Sequence, residues 1–296
     1  MDGFLIIDKP QGITSQKVVA KVRRALGLKK VGHTGTLDPL ATGVLPLALG
    51  EATKVINFLD ESIKVYQVKG RLGFSTDTYD ADGRLDQAGD PSKITETILT
   101  HHLQGFLGKQ DQFPPAYSAI KINGKPLYAY AREGNLIQAK SRPIIIHQIE
   151  LDFFNNPNFE FRVTCSRGTY VRSIVHDLGK NLGCFSHVTK LRRLQSGSFT
   201  LDQALTLDSV LENPTHAKKQ ILTIEHCLSS LPQLNLDSEI ELKRVVSGGQ
   251  VGRVSERIEA EGWVGKTVAL KYDDRVIALV KGGITGKICY QRVLNR

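Results

Sequence analysis

The chain has 296 residues, with 39 Lys and Arg against 30 Asp and Glu and a formal net charge of +9. That length suits one large domain or two unequal ones and buries a core without disulfides or metals, and 41% hydrophobic residues are too many for a disordered chain. No apolar run approaches the ~20 residues of a membrane helix, the start Met1-Asp2-Gly3-Phe4-Leu5-Ile6-Ile7-Asp8 is no signal peptide, and Cys165, Cys184, Cys227 and Cys289 form no C-x-x-C pair, so a reducing, cytoplasmic setting without a membrane is expected.

Phe4 to Asp8 reads as a short buried strand. Thr14 or Ser15 can cap a helix that carries Val18, Val19, Val22 and Leu26 on one face and stops at Gly27. Val31 to Gly50 is Gly-rich and reads as a loop. Tyr66 to Leu72 alternates as a strand, and the polar stretch Phe74 to Gly89 reads as turns. A helix is expected over Ile94 to Leu107. Tyr117 to Ile122 reads as a strand running into an Asn123-Gly124 hairpin turn, and Leu127 to Arg132 as a short helix ended by Gly134. Ile144 to Phe154 and Phe159 to Cys165 read as strands. Thr169 then caps a helix with Val171, Ile174, Val175 and Leu178 on its apolar face. Strands and helices mix without a βαβ rhythm, which favours an α+β fold around a mixed, mostly antiparallel sheet with flanking helices. Beyond an irregular helical stretch from Leu205 to Leu236, three turn-separated strands (267–272, 275–280 and 287–293) suggest a small β-barrel. A boundary is placed near 230, giving domains 1–229 and 230–296, the first expected to fold without the second.

The positive charge is clustered. From Lys9 to Leu37 there is no acid and there are seven basic residues; from Arg162 to Ser196 there are seven more against Asp177 alone. Either block by itself reads as a solvated helix face. Together, flanking the motif-rich stretches, they suggest contacts to phosphates. Several motifs fail. Asp80, Asp82 and Gly83 would start a calcium loop only with Thr78 as first ligand and Gly89 where a bidentate acid is required. Gly32, Gly35 and Gly43 lack the Gly-Lys-Ser/Thr of a nucleotide loop. Neither G-x-G-x-x-G nor G-x-S-x-G occurs. His101-His102 reads as an exposed helical pair.

The informative stretch is Gly32-His33-Thr34-Gly35-Thr36-Leu37-Asp38-Pro39-Leu40-Ala41-Thr42-Gly43. On spacing alone Asp38 is a helix N-cap with Pro39 at the first helical position. However, its glycines allow another backbone or a ligand to approach closely, His33 lies in the same loop, and the first basic block runs into it. The stretch resembles the motif of the TruB-type tRNA pseudouridine-55 synthases. Collinear matches extend the resemblance: Asp8-Lys9-Pro10 with Gly12 and Ser15, Gly50 to Lys54, Tyr66, Leu72-Gly73, Thr76-Asp77-Thr78, Pro115 with Tyr117-Ser118-Ala119, Ser166 to Arg172, Asp177-Leu178-Gly179, Gly183-Cys184 and Leu191-Arg192-Arg193-Leu194.

The resemblance implies the pseudouridine synthase fold and isomerisation of uridine 55 in the tRNA T-loop, without cofactor or metal. Asp38 maps onto the catalytic aspartate, Arg172 onto the arginine paired with it, and Tyr66 onto the tyrosine that stacks on the flipped uracil and moves its C5 proton. Tyr170 maps onto a second pocket tyrosine and Leu191 onto an apolar wall. His33 resembles the wedge that fills the place of the flipped base, and Lys9 supports the catalytic loop at the edge of the substrate site. Residues 110–139 correspond to an RNA-contacting insertion expected to be mobile without RNA, and 230–296 to a PUA-like RNA-binding module. The implied partner is the T-arm of tRNA, bound by a monomer with no obligatory protein partner. The guide-RNA-dependent synthases share the loop but carry longer extensions, whereas this chain begins just before its first strand and ends at Arg296; a non-catalytic RNA-binding protein or tRNA folding chaperone would lack Asp38, Tyr66 or Arg172.

Overall fold

A computed structural model describes residues 1–60, 62–283 and 287–295; Arg296 lies outside them. Its centre is one large sheet. The strands that build the first half are β1 (Gly3–Lys9), β2 (Val31–His33), β3 (Thr42–Leu49), β4 (Ile63–Leu72), the β5–β6 hairpin (Phe74–Thr76 and Leu85–Ala88) and β7 (Gly108–Gln112). The insertion carries β8 (Lys121–Ile122), β9 (Lys125–Pro126) and a short helix. There follow β10 (Arg142–Asn155), β11 (Asn158–Ser166), β12 (Ser186–Ser196), β13 (Phe199–Thr200) and β14 (Leu205–Thr206). The sheet runs β14-β1-β3-β12-β4-β11-β10-β7, with β2 on β3 and β13 on β12. Within this sheet, among the described residues, β1–β14 and β3–β12 are the parallel pairs, so the mixed, mostly antiparallel sheet expected from the element order is present.

The helices of this part are α1 (Ser15–Leu26), α2 (Glu96–Gln104), α3 (Leu127–Arg132), α4 (Val171–Asn181), α5 (Leu207–Glu212), α6 (Pro214–Lys219) and α7 (Ile224–Cys227). Thr14 accepts the Lys17 N–H at the start of α1, and Gly27 ends it at φ 67°, the left-handed stop that glycine accepts without strain. At β1 and β3 the sheet is buried on both faces, which is why Phe4-Leu5-Ile6-Ile7 is an unbroken apolar run. Leu5 and Ile7 belong to the apolar core that also takes in the inner faces of α1 and α4; Phe4 and Ile6 face the opposite way, towards α7 and the C-terminal part.

Several expectations change. Tyr117 to Ile122 is strand only at Lys121–Ile122, and Phe74 to Gly89 carries the β5–β6 hairpin. Val31 to Gly50 is not one loop but β2, a turn and β3. Thr169 does not cap α4: its hydroxyl donates to the Ser166 carbonyl at 2.9 Å, Tyr170 is the N-cap residue without a side-chain cap, and the Gln112 amide takes the Tyr170 N–H at 2.7 Å while donating to the Tyr170 carbonyl at 3.0 Å. The C-terminal part is an open four-stranded sheet, β15 (Gln233–Asn235), β16 (Thr267–Tyr272), β17 (Arg275–Gly282) and β18 (Ile288–Val293) in that order. Helices α8 (Glu239–Val246) and α9 (Gly252–Ala260) pack on one of its faces. Among the described residues the sheet does not close into a barrel, because α8 and α9 bury one face where a barrel would bury its own interior.

Candidate active site

The Asp38 loop hangs between β2 and β3, and no helix follows it. Ala41 N–H donates to the Asp38 carbonyl at 3.1 Å, a single turn that Pro39 initiates before Thr42 enters β3. Asp38 is therefore not a helix cap, and its carboxylate is available to other partners. The loop is fixed from below. The Ser15 hydroxyl accepts the Leu37 N–H at 2.8 Å and donates to the Leu37 carbonyl at 3.0 Å. Gly12 N–H donates to the Pro39 carbonyl at 2.8 Å. Lys9, fully buried, donates to the carbonyls of Pro10, Ile13 and Pro39 at 2.9, 2.7 and 3.3 Å. Burial lowers the Lys9 ammonium to about 8, against the pull of Asp38 and with the help of Arg193. At the far end Gly43 sits at φ 99°, and a Cβ there would meet the Arg193 carbonyl at 2.1 Å; only glycine lets β3 approach β12 so closely.

Asp38 Oδ2 lies 2.9 Å from Arg172 Nε. The contact is an ion pair rather than an aligned hydrogen bond, since Nε makes no hydrogen bond of good geometry. Arg172 projects from the first turn of α4 and is itself buried. Its remaining N–H groups donate to the Thr78 carbonyl at 2.7 Å, Asp80 Oδ2 at 3.2 Å and the Tyr117 carbonyl at 2.9 Å. Burial raises the Asp38 carboxyl above the ordinary carboxylate value; Arg172 opposes this, Asp80 adds to it, and Lys9 opposes it weakly.

Asp80 joins this site through Arg172, a contact the sequence did not disclose. It is buried; one oxygen faces Arg172 and the other accepts the Thr78 hydroxyl at 2.6 Å and the Asp82 N–H at 3.2 Å. In the sequence it stood in an acidic turn that failed as a calcium loop, and the one available signal was its place beside Thr76-Asp77-Thr78.

A cavity of about 410 Å³ opens over Asp38, lined among others by Tyr66, Tyr170, Arg172, Leu191 and Arg193. Tyr66 and Leu191 stand on β4 and β12, and both are buried. Burial raises the Tyr66 phenol, while Arg193 beside it pulls it down. The Tyr170 ring lies under the Arg142 guanidinium, 5.4 Å from its centroid; burial raises its phenol too, opposed by the neighbouring Ser118 side chain and by Arg142. A second cavity of about 880 Å³ meets the first at Asp38 and Arg172. His33 lines this second cavity, not the first, and Lys9 lines neither. The structure thus brings Asp38, Tyr66, Tyr170, Arg172 and Leu191 together, sets His33 next door, and keeps Lys9 beneath the loop. Among the described residues no cluster of side chains suits a metal ion.

The model of the TruB family pseudouridylate synthase N-terminal domain matches residues 23–171, and that of the tRNA pseudouridylate synthase B C-terminal domain matches 172–234. The chain belongs to the TruB family. It is 46% identical over 240 residues to the tRNA pseudouridine synthase B of Syntrophotalea carbinolica, covering 81% of this chain and 78% of that one. It is 50% identical over 212 residues to the protein of the same name from Geobacter sulfurreducens, 72% and 70% of the two chains. In three dimensions it is similar to a chain from a crystal structure of a Cbf5–Nop10–Gar1 complex, with a TM-score of 0.71, 27% identity and coverage of 98% of this chain and 84% of the other.

Proposed function

We infer that this TruB family member is a tRNA pseudouridine synthase that isomerises uridine 55 of the T-loop, with Asp38 as its catalytic carboxylate. The observation that carries the reading is the 2.9 Å Asp38–Arg172 ion pair at the base of a cavity walled by Tyr66, Tyr170 and Leu191. A cavity of about 410 Å³ lies within the ~300–1,000 Å³ of small-ligand sites and fits one extruded nucleoside rather than a helix. The target base must therefore leave its stack, at a cost of a few kcal/mol, and His33, which lines the adjoining cavity, stands in for it there.

In the isomerisation the C1′–N1 bond breaks, the uracil turns, and C5 bonds to C1′. Arg172 aims the Asp38 carboxylate at the reacting nucleoside and favours its ionised form. Tyr66 packs against the uracil and exchanges the C5 proton; Leu191 and Tyr170 keep the detached base from leaving. Residues 110–139 contribute the Tyr117 carbonyl to Arg172 and act as the RNA-contacting insertion. Residues 230–296 act as a PUA-like RNA-binding module behind a boundary near 230. The protein acts as a cytoplasmic monomer on the T-arm, with no obligatory protein partner.

The test is product formation on a T-arm hairpin by the purified protein and by Asp38→Asn. The variant keeps side-chain size and removes the charge and the nucleophilic oxygen. It should fold, bind the hairpin at least as tightly, and make no detectable pseudouridine. Turnover comparable to the parent would remove Asp38 from the mechanism.

A further inference from the structure

Arg193 is a buried cation for which the mechanism above has no use. It is 2% exposed, and among the described residues it has no carboxylate partner. Burying a guanidinium without a counter-charge is costly, so a purely structural site would be better filled by an apolar side chain. Its donors are committed instead to two carbonyls that bracket the catalytic loop: Nε donates to Val44 O at 2.7 Å and one terminal nitrogen to Gly35 O at 3.1 Å. The loop between these two residues carries Asp38.

The same side chain faces Tyr66. Arg193 and Tyr66 are directly opposed across the antiparallel β12–β4 pair, so both side chains leave the sheet on one face at neighbouring positions. Both line the cavity that holds Asp38. Immediately beyond them the β12–β4 register shifts between Arg193 and Gln195, the kind of bulge that re-aims a side chain beside an active site. On the other neighbouring strand Tyr66 is opposed by Val163. The ionisable groups that act on Tyr66 are Arg193 from β12, Cys165 from β11 and Asp38 from the loop; Lys64, two residues earlier on β4, lines the same cavity with its ammonium donating to the Ser196 hydroxyl at 2.6 Å. Burial pushes the Cys165 thiol up to about 12, so it stays neutral, and Asp38 disfavours a charged phenol. Arg193 supplies the positive charge.

We propose that Arg193 is a positioning residue shared by the two reacting groups: its guanidinium ties the ends of the Asp38 loop and holds a positive charge against the Tyr66 hydroxyl. This rests on the reading that Tyr66 exchanges the C5 proton. A phenol that has given its proton to water can take the proton from C5, leaving that electron pair to the uracil ring and becoming neutral again. A fixed adjacent cation stabilises the phenolate in that cycle.

The experiment places a fluorinated tyrosine of more acidic phenol at position 66 and follows its ionisation by ¹⁹F NMR in three proteins: the parent, Arg193→Lys and Arg193→Met. Single-turnover product formation and T-arm affinity are measured on the same Arg193 variants with Tyr66 intact. Arg193→Met should move the phenol midpoint upward and slow product formation by ~10-fold or more, the scale of a weakened acid–base step, with T-arm affinity held within about twofold. Arg193→Lys keeps the charge and should restore the midpoint towards the parent even where loop stapling is incomplete. Coincident midpoints in the parent and Arg193→Met overturn the proposal whatever happens to turnover, as does a loss that falls on affinity alone. A shifted midpoint together with full turnover by Tyr66→Phe upholds the Arg193 contact and removes Tyr66 from proton transfer, so the two readings fail separately.

Discussion

At the scale of single residues the site is a chain of charges, Asp80–Arg172–Asp38, in which each member fixes the next. Asp80→Asn should keep the Thr78 contact and remove the carboxylate on the far side of Arg172. A lost charge-assisted hydrogen bond is worth ~1.5–3 kcal/mol, so product formation should fall by ~10- to 100-fold while T-arm affinity stays close to the parent. Asp80 also raises the Asp38 carboxyl. Removing its charge lets Asp38 ionise at lower pH, and the acid limb of the pH–rate profile should move to lower pH. An unmoved limb with full turnover would show that Asp80 serves the turn alone. Tyr66→Phe separates packing from proton transfer: near-normal affinity is expected, with product formation down by ~100-fold. The motif loop, Tyr66 and Arg172 were legible in the sequence because they lie in contiguous or characteristic strings. Asp80 was not, because its partner lies 92 residues away and only the fold brings them together.

At the scale of elements, α4 and β12 carry most of the site, and they differ in how far the sequence disclosed them. The α4 face of Val171, Ile174, Val175 and Leu178 is buried as its spacing implied. β12 was hidden by its own chemistry: Lys190, Arg192 and Arg193 belong to a basic block read as facing phosphates, yet Arg193 is buried and Arg192 forms a two-pronged ion pair with Asp8 at 2.7 and 3.1 Å. β3 was masked by Gly43, Pro46 and Gly50, which are turn signals when read locally. One element-level contact is testable by pH. His176 of α4 stacks on Tyr79 at 3.7 Å between ring centroids, and Tyr79 sits at φ 64° in the turn that presents Thr78 and Asp80 to Arg172. Burial, with Lys180 adding and Asp86 opposing, lowers His176 to about 4, whereas the unfolded imidazole titrates near ~6.5. Between those values the unfolded chain binds a proton that the folded one refuses, so this contribution to stability is intact above about 6.5 and is lost as pH falls towards 4. His176→Phe keeps a ring on Tyr79 without a titrating nitrogen. Its thermal midpoint should fall less between pH 7 and pH 5 than the parent's, and parallel curves would assign the acid sensitivity elsewhere.

At the scale of the molecule, phosphate contacts and a shared core make two further predictions. If the basic blocks on α1 and around α4 and β12 meet about six phosphates, raising salt from ~50 to ~200 mM should weaken T-arm binding by about 10³-fold; a salt-insensitive dissociation constant would remove those blocks from the interface. The second concerns residues 230–296, which the sequence set apart as a separable module. One apolar cluster spans the boundary: Phe4, Ile6, Val44 and Ala48 from the large sheet pack with Ala269, Val276, Leu279 and Leu294. Polar ties run beside it, from the Val276 N–H to Glu225 at 2.8 Å and from the Asn295 N–H to Glu51 at 2.9 Å. A chain ending at 229 would uncover part of the outer face of β1 and β3, the rest staying under Phe199 and α7. Re-exposing a large apolar side chain costs ~1.5–3 kcal/mol, and in a domain of this size each kcal/mol moves the melting midpoint by ~2–4 °C. Phe4 and Ile6 keep part of their cover from Phe199 and α7, so only a fraction of that cost applies and the midpoint should fall by several degrees. The truncated chain should also lose T-arm affinity while retaining, below its lowered midpoint, product formation at saturating RNA, because Asp38, Tyr66 and Arg172 all lie on the opposite side of β1 and β3 from the lost strands. Calorimetry of the two chains decides the point: coincident midpoints would mean that the cluster across the boundary adds nothing to folding and that the two parts are independent.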